Sequence, residues 1–283
     1  MRLRAWTLAG AASAVCALGF NNAEAGEFSP YLPAPGGGAV NFTYVRQNGE
    51  TLFRGSVESQ RWERLTQDTY LISATYGLTD RIALDGRIGY AETDFQRRPG
   101  DPLLGQDGVS DFVLGFRYRL LDELEGAPVT VTLGASGIIQ GLYTPTVVDG
   151  IGDGASGGQV GLAIGRLVTD NLTVSGEVGY RNRFSNVPGE VFISGDIGYT
   201  FNSRLSVFAG AIKADSLSGK DLGSAGFTSL QFPQLEEDVN LWNVGGQLRL
   251  FKTVTLNGSY GRKFEGKNTT NGPFFRVGLG YGF

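Results

Sequence analysis

The last ten residues, FFRVGLGYGF at positions 274–283, alternate between two kinds of side chain. One face carries Phe275, Val277, Leu279, Tyr281 and Phe283, and the other carries Phe274, Arg276 and three glycines. A period of two predicts a β-strand with one face towards an apolar phase. We expect this strand to close a barrel, because a last strand that pairs with the first leaves no open edge in lipid.

The same alternation runs through most of the chain and predicts an all-β, up-and-down antiparallel transmembrane barrel. In residues 129–136, VTVTLGAS, an apolar set alternates with a set of small and hydroxyl side chains. We expect about twelve strands, with ten or fourteen as the alternatives. They are placed near 39–47, 69–78, 82–94, 109–121, 128–140, 157–168, 172–184, 190–201, 204–214, 239–251, 253–264 and 273–283.

The links between these strands alternate in length. Tight links are predicted at 79–81, 122–127, 169–171, 202–203 and 252–253, and mostly longer polar links separate them. Outer-membrane barrels show this arrangement, with short turns in the periplasm and long loops outside. An even number of strands then places both ends of the barrel in the periplasm.

Tyrosines recur at a fixed height above the short turns. Tyr90, Tyr180 and Tyr260 each follow a turn by about nine residues. Nine residues at about 3.3 Å each, tilted by about 40°, rise roughly 23 Å, which is close to the apolar height of an outer membrane. These tyrosines predict an outer aromatic girdle, and an inner girdle is predicted from Tyr76, Tyr118, Tyr199 and Phe201. A soluble β-sandwich also alternates, but it does not explain the girdle spacing and the link lengths together.

The chain begins with a predicted export signal at residues 1–25. Arg2 and Arg4 precede an apolar stretch, and Ala23-Glu24-Ala25 is a small-x-small cleavage site. Residues 26–38, GEFSPYLPAPGGG, form a Pro/Gly-rich segment before the predicted barrel of residues 39–283. This segment is long enough to enter the lumen from below, although its composition favours a disordered periplasmic tail.

Composition argues against catalysis and against nucleic acid as a partner. The chain has no histidine, and its single cysteine, Cys16, lies within the predicted signal. A Ser-His-Asp device and a cysteine metal site are therefore excluded, and no motif for a cofactor stands out. A net charge of −4 gives no reason to expect nucleic acid.

The two-residue register predicts which charged residues point into the lumen, since Arg at the lipid midplane costs about 2–4 kcal/mol. These side chains either line a wet passage or pair across the lumen as a plug. The predicted set is Asp85, Arg87, Asp111, Arg117, Arg119, Glu177, Arg181, Asp196, Arg249 and Arg276.

Two stretches, ATYGLTDRIALDGRIGYAETD (74–94) and DGVSDFVLGFRYRLLDE (107–123), resemble the meta-pathway phenol-degradation family of bacterial outer-membrane β-barrel proteins. GDGASGGQVGLAIGRLVTDNLTVSGEVGYRNR (152–183) is similar to a later hairpin of that family. The resemblance implies a channel for passive uptake of small molecules, including aromatic or hydrophobic ones. The alternative is a closed barrel with a structural or surface-interaction role.

The end of the chain also resembles the assembly signal of bacterial outer-membrane proteins, with Tyr281 and Phe283 at its key positions. This resemblance implies recognition by the outer-membrane assembly machinery. The expected surroundings are outer-membrane lipid and lipopolysaccharide, with a small-molecule solute in the lumen.

Overall fold

The structure is a computed structural model that describes residues 28–61, 63–145, 150–222 and 224–283. The predicted signal at residues 1–25 lies outside these residues. Within the described ranges the chain forms fifteen strands and two short 3-10 helices, at Glu123–Glu125 and Ser229–Gln234. The strands are β1 (Gly38–Asn48), β2 (Thr51–Arg54), β3 (Val57–Arg61), β4 (Arg64–Gly77), β5 (Ile82–Gln96), β6 (Leu104–Val109), β7 (Phe112–Leu121), β8 (Thr130–Ile139), β9 (Gly157–Leu167), β10 (Leu172–Arg183), β11 (Glu190–Thr200), β12 (Leu205–Ser216), β13 (Asp238–Arg249), β14 (Val254–Lys267) and β15 (Thr270–Gly282).

Twelve of these described strands form a closed antiparallel barrel, as the sequence predicts. Each barrel strand pairs with the next barrel strand along the chain. The order is β1, β4, β5, β7 and then β8 to β15, so β2, β3 and β6 are not among the twelve. The barrel closes where β1 pairs with β15, from Ala39 opposite Gly282 to Gln47 opposite Phe274. The backbone of Phe283 continues this seam, because it exchanges two 3.0 Å hydrogen bonds with Gly38.

The short turns share one hydrogen-bonding pattern. At the β4–β5 turn, the Leu78 N–H donates to the Ile82 carbonyl at 2.8 Å, and Val168 donates to Leu172 in the same way at the β9–β10 turn. Phe201 and Leu205, and Leu250 and Val254, repeat the contact at two further turns. These turns lie at one end of the barrel, the periplasmic end by the convention for such barrels.

The outer surface is apolar between two rings of aromatic side chains. All seven residues predicted for the girdles are exposed on the wall. At the inner girdle the Tyr199 and Phe201 ring centroids are 4.9 Å apart. An exposed apolar belt on a closed barrel is the architecture of a bacterial outer-membrane protein.

Three strands lie where long loops are predicted. β2 and β3 form a hairpin within 49–63, and β6 pairs with the upper part of β5. Strands β4, β14 and β15 also extend further towards the long-loop end than their alternation indicates. These segments are rich in polar residues, so they lack the period of two that a lipid-facing strand shows. Within the described residues, no helix is long and apolar enough to cross a membrane.

The register can be tested at Leu114, which is 60% exposed on the outer wall and pairs with Gly86 and Gly137. We predict that Leu114→Arg lowers the free energy of unfolding by about 2–4 kcal/mol, because the guanidinium would face the bilayer interior. Urea unfolding in lipid vesicles measures the change. Leu114→Phe is the control and should be nearly neutral, and an equally neutral Arg variant would refute the register.

Candidate functional site

The candidate site is the barrel interior, which has three levels. The short-turn half holds residues 28–37, called here the N-terminal segment. Above it lies an apolar layer built around Phe28, Phe192, Ile212, Leu241 and Phe274. The long-loop half contains a cavity of about 780 Å³, called here the vestibule.

The N-terminal segment runs along the inside of the wall towards the short-turn end. There the chain reverses direction and continues as β1 towards the long-loop end. Phe28, Tyr31 and Leu32 are all buried. Near the short-turn end the Gly36 N–H donates to the Gly77 carbonyl at 2.8 Å, and Gly36 has φ +75°, a conformation that suits glycine. The structure therefore places these residues inside the barrel and not in a periplasmic tail.

Arg117 of β7 is the main anchor of the N-terminal segment. Its guanidinium donates to both carboxylate oxygens of Asp85 at 2.8 Å. It also donates to the backbone carbonyls of Ser29 at 3.1 Å and Tyr31 at 2.9 Å. Arg117 is only 5% exposed, so this bidentate pair and two carbonyls replace its hydration.

Three further hydrogen bonds hold the segment against β8, β10 and the β7–β8 link. The Phe28 N–H donates to Glu177 at 3.1 Å, and the Thr132 hydroxyl donates to the Pro30 carbonyl at 2.7 Å. The Tyr31 hydroxyl donates to Glu123 at 3.3 Å. The first two contacts give partners to backbone groups of the segment, and the third joins two side chains.

Inward-facing glycines make room for the segment. A Cβ atom on Gly134 would collide with the ring of Phe28, and one on Gly161 would lie 2.7 Å from the opposite edge of that ring. A Cβ on Gly165 would lie 2.7 Å from Pro30 and 2.8 Å from the Tyr31 hydroxyl. Strands β8 and β9 therefore form a glycine-lined seat for residues 28–31.

The apolar layer packs Phe28 of the segment against side chains of strands β9, β11, β12, β13 and β15. Phe192 is fully buried, and Leu241, Phe274 and Ile212 are nearly so. Arginine side chains lie over two of its rings, with the Arg181 guanidinium 5.5 Å from the Phe192 centroid and that of Arg276 5.2 Å from Phe274. Barrel interiors are usually polar, so a packed apolar layer at this height is an unusual feature of the lumen.

The vestibule opens above the apolar layer. Wall residues Leu71, Arg87, Val113 and Lys263 line it together with residues of the long loops. Ala214 and Val239 belong both to the vestibule and to the apolar layer, so the layer forms part of the vestibule floor.

A buried network at Asp111 fixes one side of the vestibule. Asp111 accepts hydrogen bonds from the Tyr143 hydroxyl and the Arg183 guanidinium, each at 2.6 Å, and from the Gly141 N–H at 3.0 Å. Arg183 also lies 3.0 Å from Asp153. Burial, with the neighbouring Asp111 carboxylate, raises the pKa of Tyr143 above its ordinary value, so the hydroxyl remains a donor to Asp111 even in alkaline solution.

The ten charged residues predicted from the register occupy different levels of the interior. Asp85, Arg117 and Glu177 contact the N-terminal segment. Arg87, Asp111 and Arg181 line the vestibule.

The other four lie nearer the short-turn end or beside the apolar layer. Arg119 pairs with Asp122 at 2.8 Å at the barrel rim. Asp196 lies beside Gly210, Arg249 is half-buried at the end of β13, and Arg276 covers Phe274. Whether this set lines a solute pathway remains a proposal.

Sequence reasoning missed the apolar layer and the vestibule network. A signal for the layer does exist, because Val191-Phe192-Ile193 is a continuous apolar run and not an alternating one. Such a run indicates a strand that is apolar on both faces. The network had no such signal, since Asp111, Tyr143 and Arg183 are distant in sequence.

A closed twelve-stranded barrel whose short-turn half is filled and whose long-loop half contains a cavity has the architecture of a bacterial outer-membrane β-barrel protein. No protein-family model matches the sequence, and no curated protein matches it either.

Solved structures do match the fold. The COG4313 outer membrane channel from Pseudomonas putida F1 aligns with a TM-score of 0.73 at 14% identity, covering 91% of this chain and 100% of that one. The NanC porin aligns with a TM-score of 0.53 at 10% identity, covering 86% and 98%. The translocator domain of the autotransporter NalP from Neisseria meningitidis gives 0.52 at 14% identity, covering 95% and 92%. At these identities the likeness establishes the fold.

We predict that Arg117→Gln lowers the free energy of unfolding by about 3–5 kcal/mol, because it leaves Asp85 and two buried carbonyls without their donor. Amide hydrogen exchange at residues 28–33 should become faster in the same variant. The control is Arg166→Gln, which removes an exposed arginine from β9. Unchanged stability together with full protection of residues 28–33 would show that Arg117 does not anchor the segment.

Proposed function

We propose that the protein is an outer-membrane channel for the passive uptake of small molecules, including those with aromatic or other apolar bodies. The observation that carries this proposal is the vestibule, a cavity of about 780 Å³ inside a closed barrel and continuous with its long-loop end. A volume of this size matches ligand cavities, which span about 300–1,000 Å³. A solute entering from outside would meet the vestibule first, and the apolar layer and N-terminal segment next.

Two further observations support a small-molecule channel over other functions. The solved structures that the fold matches include channels and porins. The hairpin motifs at 74–94 and 107–123 resemble those of the meta-pathway phenol-degradation family, which favours aromatic solutes.

The filled short-turn half favours a second candidate, a closed barrel with a structural or surface-interaction role. In that case Arg117 and Asp85 would act as a permanent plug pair. The two candidates differ in the effect of weakening the contacts of Arg117. In a channel the N-terminal segment must move to let a solute pass, whereas in a closed barrel it stays in place.

Vesicle swelling tests the choice. The protein without residues 1–25 would be refolded into vesicles, which are then diluted into solutions of small neutral solutes of graded size. We predict measurable swelling with the unaltered protein and faster swelling with Arg117→Gln, because the N-terminal segment is held less firmly. Arg166→Gln should match the unaltered protein. No swelling with the unaltered protein, over repeated preparations, would favour the closed barrel.

We further propose that Tyr281 and Phe283 are recognised by the outer-membrane assembly machinery. Phe283 is 56% exposed, and its ring stacks near Tyr76 and Tyr281, each with centroids 6.5 Å apart. The ring therefore remains available at the short-turn rim.

Deletion of Phe283 should strongly reduce the amount of barrel in the outer membrane while refolding in detergent stays efficient, because it removes the recognition contact and only the last two hydrogen bonds of the β1–β15 seam. Phe201→Ala, which removes another exposed girdle ring, is the control for lost aromatic area. Cell fractionation and detergent refolding measure the two quantities. Normal outer-membrane levels of the deletion would contradict recognition at this residue.

A further inference from the structure

We infer that Asn268 holds one long loop across the mouth of the vestibule and thereby sets the size of solute that can enter. The loop consists of residues 224–235, called here the mouth loop, within the link between β12 and β13. This inference rests on the proposed function, since it assigns size selection by the channel to one residue.

The link between β12 and β13 crosses the barrel. Leu222, which follows the end of β12, packs against the buried cluster of Leu52 and Phe95. Phe95 belongs to β5, which is six places away from β12 in the ring of twelve barrel strands and therefore on the opposite wall. A chain that leaves β12 and packs on this cluster passes over the vestibule.

The mouth loop turns apolar side chains towards the vestibule. Phe227, Phe232, Pro233 and Leu235 line the cavity, together with residues of the wall. The rings of Phe227 and Phe232 pack edge to face with their centroids 5.5 Å apart. These side chains take up space at the long-loop end, so the position of the mouth loop decides how wide an opening remains.

The two ends of the mouth loop meet in a neck. The Lys220 N–H donates to the Gln234 carbonyl at 2.9 Å, and the Glu236 N–H donates to the Lys220 carbonyl at 3.1 Å. The Lys267 ammonium lies 3.3 Å from the Asp221 carboxylate and 2.8 Å from that of Glu236. The loop is therefore closed on itself, and its position depends on where the neck is held.

Asn268 joins this neck to two other loops. Its side chain is 5% exposed and lies in the turn between β14 and β15. The Oδ1 atom accepts hydrogen bonds from the N–H groups of Leu222 and of Gly55, in the β2–β3 turn, each at 2.9 Å. The Nδ2 group donates to the Glu236 carbonyl at 2.8 Å and to the Asp221 carboxylate at 3.2 Å. Because buried polar groups are costly to leave without partners, one amide fixes the neck against both neighbouring hairpins.

A single introduced thiol reports the width of the mouth. The chain's one cysteine, Cys16, is absent from protein without residues 1–25, so Ser110→Cys on the vestibule wall supplies the only thiol. N-ethylmaleimide is a small label for this thiol, and fluorescein maleimide is a bulky one. The rates of labelling are measured on the barrel refolded in detergent, and heat-modifiable migration on a gel checks that each variant is folded.

Asn268→Gly removes the amide and keeps a residue that suits the backbone, because Asn268 has φ +50°. We predict that the introduced thiol then reacts about tenfold faster with fluorescein maleimide and less than about twofold faster with N-ethylmaleimide, since only the bulky label needs the loop displaced. Asn268→Asp keeps the Oδ1 acceptor and loses the Nδ2 donor, so it should give an intermediate rate. In vesicle swelling, Asn268→Gly should admit larger solutes than the unaltered protein admits.

Asn202→Gly is the matched control, because Asn202 accepts hydrogen bonds from the N–H groups of Arg204 and Leu205 at the short-turn end. It should change neither rate, and a rise equal to that of Asn268→Gly would overturn the inference. An unchanged rate with fluorescein maleimide in folded Asn268→Gly would also overturn it, as would an equal rise with both labels, which would indicate general loosening. Labelling needs no transport. Swelling with the unaltered protein together with unchanged labelling in Asn268→Gly would leave the proposed function standing and refute only this inference.

Discussion

The structure depends on one constraint, that backbone polar groups inside a lipid bilayer must be paired within the protein. Pairing of β1 with β15 satisfies this constraint at the seam, and the exchange of hydrogen bonds between Phe283 and Gly38 continues it to the last residue. Once the sheet is closed, each strand has one face towards lipid and one towards the lumen. The outer face is then fixed as apolar, and most of the chemical variety of this protein lies on the inner face.

Closure creates a second problem, which is how to fill the space inside twelve strands. Small barrels fill it with wall side chains, and larger ones leave a channel. In this protein the wall contributes glycines at Gly134, Gly161 and Gly165, and the chain's own residues 28–31 occupy the space that these glycines leave. The fill is therefore a segment that lies outside the strands and continues into the barrel wall at β1. Its hold depends on a few polar contacts, chief among them those of Arg117, whose buried charge has Asp85 as its counter-ion.

The sequence predicted the wall far better than the interior. The period of two located the twelve barrel strands because lipid imposes the same pattern on each of them. No comparable rule governs residues 28–37, whose prolines and glycines fit an extended tail as well as a packed segment. Their fixed position arises from polar and charged side chains that lie about 100 residues away or more in sequence, such as Thr132 and Glu177. The pairing of Arg117 with Asp85 could have been predicted from the sequence, because both residues were expected to face inward on neighbouring strands.

The two halves of the lumen are stabilised by different interactions, hydrogen bonds to backbone carbonyls in one half and ion pairs between side chains in the other. In the short-turn half, Arg117 and Thr132 donate to backbone carbonyls of the N-terminal segment, so these contacts depend on the position of the segment and little on its side chains. In the long-loop half, Arg183 and Arg181 pair with carboxylates of the wall and loops, and these pairs include no residue of the segment. The apolar layer separates the two, and Phe28 is the member of that layer that the segment supplies. Movement of the segment would therefore change the layer, and with it the part of the vestibule floor that Ala214 and Val239 form, while the ion pairs of the vestibule wall involve no residue of the segment.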